Sequence, residues 1–397
     1  MIEQNRQIPI TRAYDVIVAG GGIAGASAAL AARRSGARTL LLEREFALGG
    51  LATLGLVTIY LPLCDGQGRQ VSYGIAEELL RLSISEGHEG NLPVDWLNGN
   101  VPSGHVPSMR FQAQFNPQLF ALLLEERLRQ EGVDLLYGCA LTGAQVRQGT
   151  IQAIWVEAKS GPLAFEARSF VDATGDADLC HFAHAPTRTF GQGNVLAAWY
   201  YALGESGYHL QTLGAADIPD KDKARGAKAA KPLIQRRFAA LDGQELSEMA
   251  ECSHQAMLRH LRARRSGDPT LMPVTMAAIP QVRMTRCLEA RVMLEEDSAR
   301  RYHSRIGVIG NWKRPGPSYE IPFEALYSDQ IKNLAVAGRC IGVTDDMWDV
   351  TRVIPACAVT GQAAGTAAAL FDDFGRADIR LLQQTLSEAG VRLDVAR

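Results

Sequence analysis

An α/β fold, α+β over the whole chain, is predicted by three observations. Between Tyr14 and Glu43 a β-branched run passes through a glycine turn into an alanine-rich helix and then a second apolar strand. Four more strand-like runs follow between Val133 and Asp172, and a short apolar strand returns at Leu334–Ala337. The length, 397 residues, suits roughly two domains at about 150 residues each. With 47% apolar and 21% charged residues the chain is globular, which excludes disorder, collagen-like repeats and coiled coil.

The first strand, Tyr14–Ala19, runs into Gly20-Gly21-Gly22-Ile23-Ala24-Gly25, and Gly36 stops the helix that follows. The second strand, Arg38–Leu42, ends at Glu43. This is a dinucleotide fingerprint in its required setting. Gly20 makes the turn, Gly22 lets the backbone approach a pyrophosphate, and Gly25 lets the helix lie close to the strand. The helix N-terminus faces the phosphates, and Glu43 accepts from the adenosine ribose hydroxyls, which disfavours a 2′-phosphorylated ribose. A second glycine pair, Gly49-Gly50, stands where a plain NAD domain would enter its next helix.

Further along, Leu54–Arg110 is rich in Gly and Pro, with loop expected over Asn91–Pro107. Asn116-Pro117 caps a helix over Pro117–Gln130. Strands are expected at Val133–Tyr137, Ala144–Arg147, Ile151–Lys159 and Ala164–Asp172, and charged helical segments at Ala230–Arg265 and Thr285–Arg300. Pro355–Leu370 reads as an Ala/Gly-rich helix that needs a close neighbour, Gly361 and Gly365 being spaced for helix contact.

From about Asp15 to Leu370 the chain resembles the FAD-dependent oxidoreductases with the glutathione-reductase-type FAD fold, most closely a bacterial family of unassigned substrate. Four blocks carry the resemblance: Val18–Gly25 with Glu43; Gly49-Gly50-Leu51-Ala52-Thr53; Phe170–Asp178; and Asn333–Cys340 with Arg352–Leu370. It implies a Rossmann-like FAD-binding domain (1–53, 111–185 and 325–397) with a βββ-meander insert, and a discontinuous cap or substrate domain (54–110 and 186–324). It also implies FAD contacts at Gly20, Gly21, Gly22, Ile23, Ala24, Gly25, Glu43, Arg44, Gly49, Gly50, Ala52, Thr53, Ala173, Thr174, Gly175, Asp178, Gly338 and Arg339, with adenine near Ala140. The C-terminal helix should direct its positive N-terminus at the flavin pyrimidine, through Arg352, Val353 and Ile354. The chain departs from the wider fold at Gly338-Arg339, where many members have Gly-Asp; Asp345 or Asp346 is the candidate replacement.

Catalytic candidates are Arg283 and Arg286, which can clamp a carboxylate or stabilise developing negative charge, and His303. A structural ion-pair role for the two arginines is the alternative. His105, Tyr73 and Tyr319 are further candidates for a base or a substrate contact, against ordinary packing, and Glu320 reads as structural.

The 41 Lys and Arg against 43 Asp and Glu give a net charge of −2, which provides no field for nucleic acid or an anionic membrane. Val16–Ala32 and Val353–Phe371 are uncharged, but Gly, Ala and Pro make them packed helices rather than spans. Seven scattered cysteines form no disulfide framework or zinc ribbon and fit a reducing cytoplasm. No second G-x-G-x-x-G occurs, and only Cys64 lies where flavin disulfide reductases carry two redox cysteines. No metal is expected, although Cys180, His181 and His184 share a helical spacing. The resulting expectation is an FAD-dependent oxidoreductase moving a hydride to or from flavin N5 on a small organic molecule, with oxygen or another electron partner. The alternatives are a flavoprotein whose FAD is structural or non-redox, or an FAD-binding subunit of a complex; homo-oligomerisation is left open.

Overall fold

The computed structural model describes residues 7–90, 92–99, 111–214 and 231–394. Strand β1 begins at Ile10 rather than Tyr14 and runs to Ala19. It pairs in parallel with β2 (Thr39–Leu42) on one side and β8 (Gly161–Asp172) on the other, and β5 (Asp134–Leu136) extends the sheet beyond β2. The opposite edge of β8 is shared. Its first half pairs antiparallel with β7 (Thr150–Ala158), which pairs with β6 (Ala140–Arg147), and its last residues pair in parallel with β16 (Leu334–Val336). The antiparallel meander is therefore β6–β7–β8, and the parallel strands end along one line, the usual place for a ligand in an open α/β sheet.

Helix α1 (Ile23–Arg34) is buried from Ile23 to Ala32 because it lies between the sheet and α8 (Ile354–Leu370). The alanines make this possible, and the glycines set the spacing. A Cβ on Gly361 would lie 2.2 Å from the Ala24 carbonyl oxygen, and one on Gly365 2.0 Å from that of Ala28. Helix α4 (Pro117–Gln130) has the expected bounds, its Asn116 side chain accepting from the Leu119 N–H at 3.0 Å. Helix α2 (Ile75–Ser83) caps on Gln362 of α8, whose Oε1 accepts from the Ile75 N–H at 2.8 Å. Tyr60, Leu63, Ile75, Leu79 and Leu80, from the segment expected in the second domain, share the main core with the sheet. So do Ile306, Ile309, Tyr319 and Ile321 on the hairpin β14 (Arg305–Gly310) and β15 (Ser318–Pro322).

The second lobe is an antiparallel sheet, β10 (Ala198–Gly204) between β11 (Gly207–Leu213) and β12 (Met272–Met276), with α6 (Gly243–Arg264) across it. Ala256, Met257 and Leu261 of α6 pack on Ala198, Tyr200, Ala202 and Leu271, and a separate small core joins Leu196, Phe238, Met249 and Val282. Two expectations need correction here. The helix expected over Ala230–Arg265 starts only at Gly243, because Asp242 is the cap: its Oδ1 accepts from the N–H groups of Gln244 and Glu245 at 3.0 and 2.9 Å. The segment Thr285–Arg300 is not helical. It forms β13 (Arg286–Leu288), paired antiparallel with β9 (Thr187–Thr189), and then loop, because the neighbouring strand captures its backbone and Cys287 and Leu288 enter the core.

Smaller elements complete the chain: the ladder of β3 (Ile59–Tyr60) with β4 (Ala113–Gln114), and helices α3 (Val94–Leu97), α5 (Asp178–Phe182), α7 (Asp345–Thr351) and α9 (Ile379–Glu388). Helix α3 interrupts the loop expected over Asn91–Pro107; Asn91 and residues 100–107 lie outside the described residues. Among the described residues no single helix is long and apolar enough to cross a membrane. The pair α7 and α8 passes by length and composition, but it bends by 92° and α8 is buried against α1.

Candidate active site

The loops after β1, β2, β8 and β16 enclose a cleft of about 350 Å³ that continues under the second lobe. Its first half is shaped by glycines. Gly20 has φ +101°, and a Cβ there would meet the Ala173 carbonyl oxygen at 2.5 Å; a Cβ on Gly25 would meet the Gly20 oxygen at 1.7 Å. Gly22 differs. Its backbone is extended, a Cβ would find nothing within 4 Å, and it caps α1 without a side chain, so the first-turn N–H groups are left for a ligand.

Glu43 closes this end. Its carboxylate accepts from the Gly21 N–H at 2.6 Å and the Glu45 N–H at 2.8 Å. Burial raises its pKa, and these two hydrogen bonds oppose the rise. Gly49 donates to the Gly21 carbonyl at 2.9 Å, so the second glycine pair is laid against the first, and Thr53 fixes it through its hydroxyl, which donates to the Leu48 carbonyl at 2.5 Å.

Across the cleft, Asp172 is fully buried at the end of β8. It accepts from the Thr174 N–H and hydroxyl (3.1 and 2.7 Å) and from the Cys180 N–H (2.9 Å), which holds the turn Ala173–Gly175 over the opening. Asp178 beyond it is pushed up to about 6 by burial and by the negative charge of Asp176 and Asp172, against Arg286.

At the far end α8 begins at Ile354 with no side-chain cap, so the N-terminal N–H groups near Val353 and Ile354 face the cleft. Beside it, Arg352 donates through Nε to the buried Asp349 at 2.8 Å, and Lys313 pairs with the same carboxylate. Burial and the nearby Arg339 lower Arg352 to about 10. Arg339 donates to the Val282 carbonyl at 2.7 Å and pairs with Asp176 at 3.3 Å, which ties the sheet to the second lobe.

The second lobe contributes Leu246, Ile279, Pro280 and Arg283, and the segment before α2 adds Val57, Ile59 and Leu61. Arg283 is 7% exposed. Its Nη2 donates to Gln281 Oε1 at 2.9 Å, its guanidinium lies 5.6 Å from the Trp199 ring centre, and among the described residues its buried Nε has no partner.

The cleft thus brings together Gly20, Gly22, Ile23, Ala24, Glu43, Arg44, Gly49, Gly50, Ala52, Ala140, Ala173, Thr174, Gly175, Asp178, Gly338, Arg339, Arg352, Val353, Ile354 and Arg283. Gly21, Gly25 and Thr53 shape it from behind. Arg286 and His303 are not in its lining. Arg286 donates to the Asp176 carbonyl (2.9 Å) and Asp178 (2.8 Å), and the His303 carbonyl accepts from Gln383 of α9. Tyr73 bonds the Gln70 carbonyl, Tyr319 accepts from Asn311, and His105 is outside the described residues. Asp345 pairs with Arg188 rather than the cleft. Cys180 is buried in the Asp172 turn, and among the described residues no cluster of His, Cys, Asp or Glu is placed to hold a metal. The sequence assigned no site role to Asp176, Asn194, Trp199 or Gln281. Asp176 stands inside the quoted Phe170–Asp178 block, whereas the other three become visible only through their contacts with Arg283.

Fold and cleft define an α/β protein of dinucleotide-binding architecture with a second lobe over the far end of the cleft. The chain belongs to the FAD dependent oxidoreductase family, whose sequence pattern matches residues 15–235 and 297–386, and FAD is its cofactor. Gly22, open to the cleft, and the two uncapped helix starts fit that group. Among curated proteins, a thioredoxin reductase of Ureaplasma parvum is 35% identical over 72 residues, 18% of this chain and 23% of that one. An aklavinone 12-hydroxylase of Streptomyces peucetius is 26% identical over 253 residues, 52% of this chain and 48% of that one. The chain therefore spans about a quarter to a half of the curated relatives it matches. A solved geranylgeranyl bacteriochlorophyll reductase-like protein of Thermoplasma acidophilum aligns with 12% identity and a TM-score of 0.44, over 96% of this chain and 85% of that one.

Proposed function

We propose that the chain is an FAD-dependent oxidoreductase acting on a small organic molecule held between the flavin and the second lobe. The observation that carries this reading is the continuity of the cleft: the glycine-lined half runs without interruption into an apolar chamber walled by Val57, Ile59, Leu61, Leu246, Ile279 and Pro280. A structural FAD would not need such a chamber.

The bound flavin supplies hydride chemistry at N5. The chain's own residues do the rest. Gly22 and the first turn of α1 would receive the pyrophosphate, Glu43 would accept from the adenosine ribose, and Ala140 is the residue that would bound the adenine. The first N–H groups of α8 would hold the pyrimidine end of the flavin, where the helix dipole favours negative charge. Asp349 and Lys313 keep Arg352 in place beside that helix start, and the apolar walls exclude water from the reacting face. Arg286 and His303 have no part in this scheme, and Arg283 faces the chamber.

The test is anaerobic titration of the flavin-loaded protein with amino acids, hydroxy acids, sugars, phenols and NADH, followed by loss of flavin absorbance. Bleaching by one organic class is the expected result. Protein that holds FAD but is bleached by none of them, nor reoxidised after dithionite by any acceptor offered, would overturn the redox reading.

A further inference from the structure

Among the described residues four arginines line the cleft, and three have a carboxylate: Arg44 with Glu45, Arg339 with Asp176, and Arg352 with Asp349. Among the described residues none pairs with Arg283, although it is more deeply buried than most charged groups in the chain. A buried cation without a counterion is costly, and here burial with the repulsion of Arg352 and Arg339 lowers it to about 9. Its surroundings nevertheless hold it rigidly. Asn194, itself 3% exposed, accepts through Oδ1 from the N–H groups of Arg283 and Met284 (2.9 and 3.0 Å) and donates through Nδ2 to the carbonyls of Phe238 and Met284. Gln281, which orients the guanidinium, is anchored in turn by donating to the Gly55 carbonyl at 2.5 Å. Trp199 lies beside the guanidinium.

Resting on the functional reading above, we propose that Arg283 is the substrate-anion receptor, and that the substrate is a carboxylate on an apolar body. An oriented planar guanidinium on the cleft wall, with no carboxylate beside it among the described residues, matches the two coplanar oxygens of a carboxylate. The chamber around it is apolar, so the rest of the ligand is hydrocarbon or aromatic. One uncompensated positive charge balances one negative charge; a phosphate dianion would leave a surplus charge in the same apolar surroundings. Asn194 and Gln281 are positioning residues for the receptor.

The experiment compares benzoate, benzamide and phenyl phosphate on flavin-loaded wild type, Arg283→Lys and Arg283→Met, reading the flavin difference spectrum and the melting temperature. Benzoate is expected to saturate the wild type and raise its melting temperature, with benzamide at least tenfold weaker. Arg283→Met should retain FAD and its fold, melt no lower than the wild type without ligand, and bind benzoate about a hundredfold more weakly; Arg283→Lys should fall between. Equal binding of benzoate and benzamide, tighter binding of phenyl phosphate, or loss of FAD rather than of benzoate in Arg283→Met would overturn the assignment. Melting shifts read Arg283 whether or not flavin is bound. Wild-type protein that takes up no FAD overturns the functional reading, whereas wild-type protein that is not stabilised by benzoate overturns this one.

Discussion

Replacing Gly22 by valine separates the role of the cleft from the stability of the fold. At this position φ is −65° and ψ −178°, a conformation open to any L residue, and an added Cβ meets no protein atom within 4 Å. The chain should therefore fold as before. The added methyls would take the space in front of the α1 N-terminus and keep a pyrophosphate off its first-turn N–H groups. Charge-assisted hydrogen bonds contribute roughly 1.5–3 kcal/mol each, so losing two costs about 3–6 kcal/mol. At about 1.4 kcal/mol per decade this is a hundredfold or greater loss of FAD affinity. Equilibrium titration of the apoprotein by flavin fluorescence measures it, with a thermal melt of the apoprotein as control. Gly25→Ala is the contrasting variant, since its Cβ would sit 1.7 Å from the Gly20 oxygen and should destabilise the apoprotein itself. Wild-type FAD affinity in a folded Gly22→Val protein would refute the reasoning.

Two further outcomes follow from the packing and charges around the cleft. Gly365→Val forces α8 away from the Ala28 backbone, 2.0 Å from its new Cβ, and is expected to cost about 3 kcal/mol in urea unfolding and to weaken FAD binding through the shifted α1; an unchanged midpoint would contradict the close approach of the two helices. Asp178, pushed up to about 6, binds in the folded chain a proton that the unfolded chain gives up near pH 4, so stability falls as pH rises between those values and the penalty is complete above pH 6. Asp178→Asn should raise the melting temperature by roughly 1–3 °C at pH 7.5 and leave it unchanged near pH 4, the effect being small because the side chain is 38% exposed and Arg286 keeps its bond to the Asp176 carbonyl. An equal change at both pH values would show that Asp178 does not carry the charge penalty.

The dinucleotide half was legible because residue types at short, fixed spacings mark it, even where the contacts they serve are distant. Gly25, whose Cβ would strike the Gly20 oxygen, the cap Asn116 and the acid that closes β2 each stand at a recognisable place in their own segment, although Gly20 is pressed against Ala173 and Gly361 against Ala24. The second lobe left no such mark. Thr285–Arg300 carries charges at helical spacing, yet the antiparallel partner Thr187–Thr189, about a hundred residues away, decides its conformation. The start of α6 was readable in principle from Asp242 followed by Gly243-Gln244-Glu245, but the charged run before it extended the helical pattern. The catalytic side divides in the same way. Arg283 and Arg286 look alike in sequence, three residues apart, and only tertiary contacts show that Asp178 neutralises one and, among the described residues, no carboxylate the other. His303 had nothing but its residue type in its favour, and its backbone serves α9.

FAD bound in this cleft has its own visible absorption. The most direct measurement is the visible spectrum of the purified protein after desalting, with identification of any chromophore released on denaturation. Flavin absorption is expected to survive desalting, or to appear on addition of FAD, with one FAD per chain. A colourless protein that takes up no FAD would contradict it.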